Sequence, residues 1–188
     1  HNVQEWLKNA YFVQASPSDK GARKLPLDDA RLGEMIKYVV AHEVGHSIGF
    51  RHNMHASNSY PVEKYRDNKF INKYSVESSI MDYARFNYIA QPGDKMEFNP
   101  VVGPYDKFAV EWAYGDFKDS NSVEEDEKHL NKIAERQLKN KMLRSGGAHE
   151  DGYDGRADHR SQTEDIGDDA VAATTYGLKN LETVMGYI

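Results

Sequence analysis

The chain predicts a mainly helical fold, on three observations. Apolar residues recur at helical spacing in several separate stretches. Capping residues mark where those stretches begin and end. Alternating or continuous β-branched runs that would supply a four- or five-stranded sheet are absent, leaving α+β with a small sheet as the alternative.

Val3, Trp6, Leu7, Ala10 and Val13 share one helical face, which predicts an amphipathic helix over residues 2–14. Residues 16–27 carry two prolines and a glycine and read as a loop. Asp28 is a natural N-cap for a long helix from Asp29 to Ile48. Along that helix Leu32, Ile36, Val40 and Val44 form an apolar row, and Met35 and Val39 lead into His42 and His46. Residues 53–80 are polar, rich in tyrosine and punctuated by Asn, Ser and Pro, so short helical turns forming part of a cleft wall are expected.

Two turns fall in residues 84–103, at Gln91-Pro92-Gly93-Asp94 and Asn99-Pro100. A helix over Tyr105–Phe117 offers Phe108, Val110, Trp112 and Ala113 for packing. A second long helix is predicted over Ser122–Leu143, with Val123, Leu130, Ile133, Ala134, Leu138 and Met142 facing the body. Its acidic start, Glu124 to Glu127, suits a solvated first helical turn better than a metal site. After a Gly/Asp-rich loop over residues 145–167, Asp168 and Asp169 open a last helix to about Met185, with Val171, Tyr176, Leu178, Leu181 and Val184 for packing. The expected organisation is a core over residues 1–118 and a helical extension over 119–188 packed on it, not an independent domain.

The chemistry is concentrated in residues 42–52, H-E-V-G-H-S-I-G-F-R-H. Two histidines four residues apart on a helix place their rings on one side, close enough to share an ion. Gly49 permits a left-handed turn that ends the helix and returns His52 as a third ligand. Three neutral imidazoles suit Zn²⁺ and leave its fourth tetrahedral position for water. Glu43 stands next to the first ligand, where it can take a proton from that water. His55 lies three residues beyond a set that is already complete, and is read as a bystander. Asp151, Asp154 and Asp158 offer a weaker Ca²⁺ candidate, since their order does not match an EF-hand loop.

The pattern H-E-x-x-H-x-x-G-x-x-H resembles that of the metzincin metallopeptidases. Ser79-Ile80-Met81-Asp82-Tyr83 is similar to the clan's Met-turn, and Asp106 to Gly115 resembles its D-x-x-A-[IV]-x-x-x-Y-G helix. Residues 41–114 are most similar to the bacterial "Met-zincin" domain of large zinc-dependent metalloproteases. The resemblance implies a zincin-like fold, with an active-site helix and a Met-turn lower subdomain. It implies His42, His46 and His52 as zinc ligands, Glu43 as general base and then proton donor, and Met81 as the apolar floor of the site. For Tyr83 it implies a side chain that reaches the metal or stabilises the oxyanion, against the plainer reading of an aromatic packed under the helix. It also implies an upper β-sheet, largely missing here, whose edge holds the substrate backbone. The isolated residues are therefore expected to bind zinc but cleave peptides poorly until extended N-terminally.

At 188 residues, a single chain can bury roughly 70% of its unfolded surface, enough for one core. A net charge of −6 without a strongly basic stretch argues against a nucleic-acid partner. No apolar run reaches the ~20 residues of a membrane span. There is no cysteine, so neither disulfides nor thiolate ligands enter the argument. The chain opens on His1, which reads as a piece of a longer parent with further domains. An extracytoplasmic location in a bacterium (periplasmic, cell-surface or secreted) is the expectation. The leading function is a zinc metalloendopeptidase acting on peptides or proteins. A non-peptidase zinc hydrolase and a non-catalytic zinc-binding domain are the alternatives.

Overall fold

The computed structural model describes residues 2–24, 26–84, 86–147 and 158–188. Seven α-helices follow one another among these residues: α1 (Asn2–Ala15), α2 (Asp29–Ser47), α3 (Asn68–Tyr74), α4 (Pro104–Tyr114), α5 (Val123–Ala134), α6 (Arg136–Lys139) and α7 (Ala170–Met185). No described residue is in a β-strand, so the mainly helical expectation holds over the small-sheet alternative.

Helix α2 begins where its cap predicts, with the Asp28 carboxylate accepting from the Arg31 amide at 2.8 Å. It ends at Ser47, and Gly49 follows at φ +92°, the left-handed geometry glycine enters without a Cβ clash. The buried face of α2 is not the predicted row. Met35, His42 and Gly45 point inward, whereas Ile36, Val40 and Val44 are 44%, 53% and 51% exposed. Helix α1 also buries a different stripe from the expected one: Leu7, Tyr11 and Ala15 are buried, while Trp6 and Val13 are exposed. Spacing at i, i+4 and i+8 defines that stripe as well as the predicted one, and the Tyr11 hydroxyl decides between them by donating to buried Asp19.

Irregular chain builds the larger core. Tyr60, Val62, Tyr65, Ile71, Ile89 and Met96 pack together with Ile166 and with Ala173 of α7. Polar side chains make this burial tolerable by taking up the backbone groups that a loop leaves unpaired. The Tyr65 hydroxyl donates to Ser57 O at 2.8 Å, Asn87 Nδ2 to Tyr65 O at 2.7 Å, and Asn180 Nδ2 to Tyr88 O and Ala90 O at 2.7 and 2.8 Å. The segment 53–80 is thus mostly core, not cleft wall; Ser75, Val76 and Glu77 alone of it line the cavity beside the histidines. On α7 the buried positions are Ala173, Asn180 and Val184, and Val171, Leu178 and Leu181 are exposed.

The predicted helix over 122–143 is broken. Asn140 adopts an extended conformation and caps the Met142 amide with its own side chain, which turns Leu143 back towards Phe108 and Ile133. Val123 and Leu138 consequently stay exposed, as do Val110, Trp112 and Ala113 of α4, which stops at Tyr114 before an extended Gly115. Among the described residues no helix is long and apolar enough to cross a membrane.

Candidate metal centre

Helix α2 carries His42 and His46 one turn apart, and the left-handed turn at Gly49 returns the chain so that His52 joins them. One ring nitrogen of each lies within 4.8 Å of the others. His42 Nδ1 donates to the Ile80 carbonyl at 2.6 Å and His46 Nδ1 to the Phe50 carbonyl at 2.8 Å. A carbonyl only accepts, so both rings carry their proton on Nδ1 and keep the Nε2 lone pair free for a cation.

His42 Nε2 is buried and has no hydrogen-bond partner, and His46 Nε2 stands 3.1 Å from His52 Nε2. Ligand bonds of ~2.0–2.1 Å in a tetrahedron place two nitrogens about 3.3 Å apart. The donor set and its spacing therefore fit Zn²⁺. Burial lowers the His42 pKa more than the Ile80 carbonyl raises it, which keeps the ring in the neutral form a metal requires.

The second landmark, Ser79 to Tyr83, is held from below by Asp106. Its carboxylate accepts from Ser79 Oγ at 2.6 Å, the Ile80 amide at 3.0 Å and the Gly103 amide at 2.7 Å. Ser79 Oγ in turn accepts from the Met81 amide at 3.0 Å. The same Ile80 thus receives Asp106 on its N–H and offers its carbonyl to His42, so the first turn of α4 fixes the orientation of a candidate ligand. Gly103 permits this approach, because a Cβ there would collide with the Ser78 carbonyl. The Asn53 amide donates to Met81 O at 2.9 Å, which ties the return loop after His52 to the same turn.

Met81 is fully buried against Gly45 of α2, whose missing side chain makes room for the sulfur. The need for Gly45 opposite Met81 was not read from the sequence. Tyr83 is 38% exposed and stacks on His42 at 5.4 Å between ring centroids, with His52 at 4.4 Å. Glu43 is exposed beside His42, and both line the cavity of about 160 Å³ that adjoins the histidines.

His55 is buried but stands outside the three-histidine group. Of the weaker Ca²⁺ candidates, Asp151 and Asp154 lie outside the described residues, and Asp158 pairs with Arg160 at 2.6 Å. Glu77 and Tyr38 were not singled out by sequence: the Tyr38 hydroxyl donates to Glu77, linking α2 to the chain before the Met-turn. Burial pushes the pKa values of Glu77 and Asp106 up, and that of Asp82 up to about 7.

Comparison with curated proteins and with solved structures finds no match. Against protein families the result is different: residues 24–188 match the Met-zincin family from end to end of the site just described, and the chain belongs to it.

Proposed function

We propose that the protein is a zinc-dependent metalloendopeptidase in which His42, His46 and His52 hold one ion and Glu43 acts as the general base. The observation that carries the reading is the convergence of three imidazoles, two with their protonation fixed by carbonyls, beside an exposed glutamate and a cavity large enough for a side chain. Zinc, when bound, supplies a Lewis acid that acidifies a water and polarises a carbonyl. Glu43 accepts the proton from the attacking water and delivers it to the leaving amine, the two roles a carboxylate performs in turn. In this reading Tyr83, stacked on His42 and partly exposed, donates its hydroxyl proton to the oxygen that gains charge. Asp106, Ser79 and Ile80 position His42 and touch no substrate.

Substitution of ligands tests the assignment. His42→Ala, His46→Ala and His52→Ala should each lower zinc affinity sharply in chelator competition, and His55→Ala should leave it unchanged. Equal losses for His52→Ala and His55→Ala would show that the third ligand is wrongly chosen. Extracytoplasmic action on peptide or protein substrates is part of the same proposal.

A further inference from the structure

Helix α7 has two patterned faces. Inward it turns Ala173, Asn180 and Val184, and it lies against α1. Outward, Val171, Thr174, Leu178, Leu181 and Met185 recur at alternating steps of three and four residues, and Ile188 continues the register past the helix end. Val171, Leu178, Leu181 and Met185 are 78%, 57%, 45% and 72% exposed. Steps of three and four are the a/d spacing of a helix–helix seam. An ordinary surface helix turns charge to water, as α5 does with Glu124, Glu127, Lys128 and Lys132. The only charged residues of α7, Lys179 and Glu182, are both exposed on one flank of the outward stripe. On its other flank a groove of about 320 Å³ opens towards α1, with Val13, Gln14, Leu178 and Leu181 in its walls.

We infer that the outward face of α7 docks a second copy of this chain, the two α7 helices running antiparallel. A two-fold axis between Leu178 and Leu181 sets Leu178 of each copy against Leu181 of the other, and Thr174 against Met185, so that a small side chain meets a large one in the outer layers. Such an interface is isologous: one patch serves both copies. The same axis brings Lys179 of each copy beside Glu182 of the other, two complementary pairs. A parallel arrangement would put lysine by lysine and glutamate by glutamate, which is unfavourable. The area is sufficient. Covering one aliphatic side chain removes on the order of 100 Å² of apolar surface. At the exposures of the stripe, Ile188 and Val13, two copies together lose about 750 Å². Apolar atoms make up about 60% of an interface, which gives a total of about 1,300 Å², within the standard range of roughly 1,200–2,000 Å². The inference does not depend on the peptidase reading.

The test is sedimentation equilibrium of the zinc-loaded full-length protein and four variants at low ionic strength, where exposed charge pairs act most strongly. The parent should form dimers with a micromolar or tighter dissociation constant. Leu178→Glu puts two like charges at the axis and should weaken the dimer at least ~30-fold, the loss of one central contact. Leu178 is exposed, so the variant should keep the thermal unfolding of the parent monomer. Lys179→Glu and Glu182→Lys should each weaken the dimer about 3–10-fold, and the double exchange should return it to the parent value, because it restores both pairs in reverse.

A parent that stays monomeric at every concentration overturns the inference, whatever other chain or segment covers α7. A dimer that Leu178→Glu leaves intact also overturns it, because another face then forms the contact. Should Leu178→Glu fail to fold, the charge series decides alone. Losses that add in the double exchange, instead of cancelling, refute the antiparallel pairing of Lys179 with Glu182.

Discussion

Asp106→Ala removes a side chain that joins α4, the Met-turn and a candidate ligand. The carboxylate receives three hydrogen bonds, from Ser79 Oγ, the Ile80 amide and the Gly103 amide, all buried. A buried donor left without a partner costs ~1–3 kcal/mol. Water entering the vacated space recovers part of that, and loss of a carboxyl whose pKa burial has raised offsets some more. The net destabilisation should be about 3 kcal/mol, large for one substitution. Asp106→Asn keeps an oxygen for the two backbone amides and loses only the Ser79 interaction, so it should cost about 1 kcal/mol. Asp106→Ala also loosens the Ile80 carbonyl against His42 Nδ1, and disturbance of such a partner typically lowers metal affinity 10–100-fold. Urea unfolding of metal-free protein gives the first quantity and chelator competition for zinc the second. Stability within about 1 kcal/mol of the parent together with unchanged zinc affinity in Asp106→Ala would refute the bracing role.

Three further outcomes follow from the same geometry. Gly45→Ala gains up to ~1 kcal/mol of helix propensity but drives a methyl group into the Met81 sulfur, an overpacking worth ~1–3 kcal/mol, so thermal unfolding should show a net loss. Asp82 has a folded pKa of about 7 against 3.8 for the free group, so the folded chain holds a proton that the unfolded chain releases. Its contribution to stability is fully present below about pH 4 and lost as pH rises through 7, by at most about 4 kcal/mol, and Glu77 and Asp106 shift in the same direction. Urea unfolding of metal-free protein from pH 4 to 8 should therefore slope downward, less so in Asp82→Asn; parallel profiles would contradict the assignment. Tyr83→Phe should bind zinc like the parent and lose ~10²–10³-fold in hydrolysis, the usual worth of an oxyanion donor, while an unchanged rate would return Tyr83 to a packing role.

What could be read from the letters was what is local. Asp28, His42, His46 and Gly49 act within one helix and its cap, so spacing alone places them, and the bounds of α2 agree to within a residue. His52 follows because a left-handed turn has one direction to go. Asp106, Tyr38 and Glu77 act on partners far along the chain, and no periodicity encodes such a pairing; the resemblance marked Asp106 as part of a motif without giving its task. Helix faces failed for a related reason. Ile36, Val40 and Val44 obey the same spacing as a buried row, but burial is decided by what packs opposite, and α2 turns Met35, His42 and Gly45 inward. The core role of residues 60–96 was hidden because tyrosines and asparagines look like loop residues until their hydroxyls and amides are seen capping buried backbone.

The account stands most directly on a comparison of the full-length protein with its Glu43→Gln variant, measuring bound zinc and hydrolysis of an unfolded protein substrate in the same preparations. Both should hold close to one equivalent of zinc, and only the parent should hydrolyse peptide bonds. Loss of zinc from Glu43→Gln, or hydrolysis undiminished by it, would contradict the assignment of Glu43 as the base of a zinc peptidase.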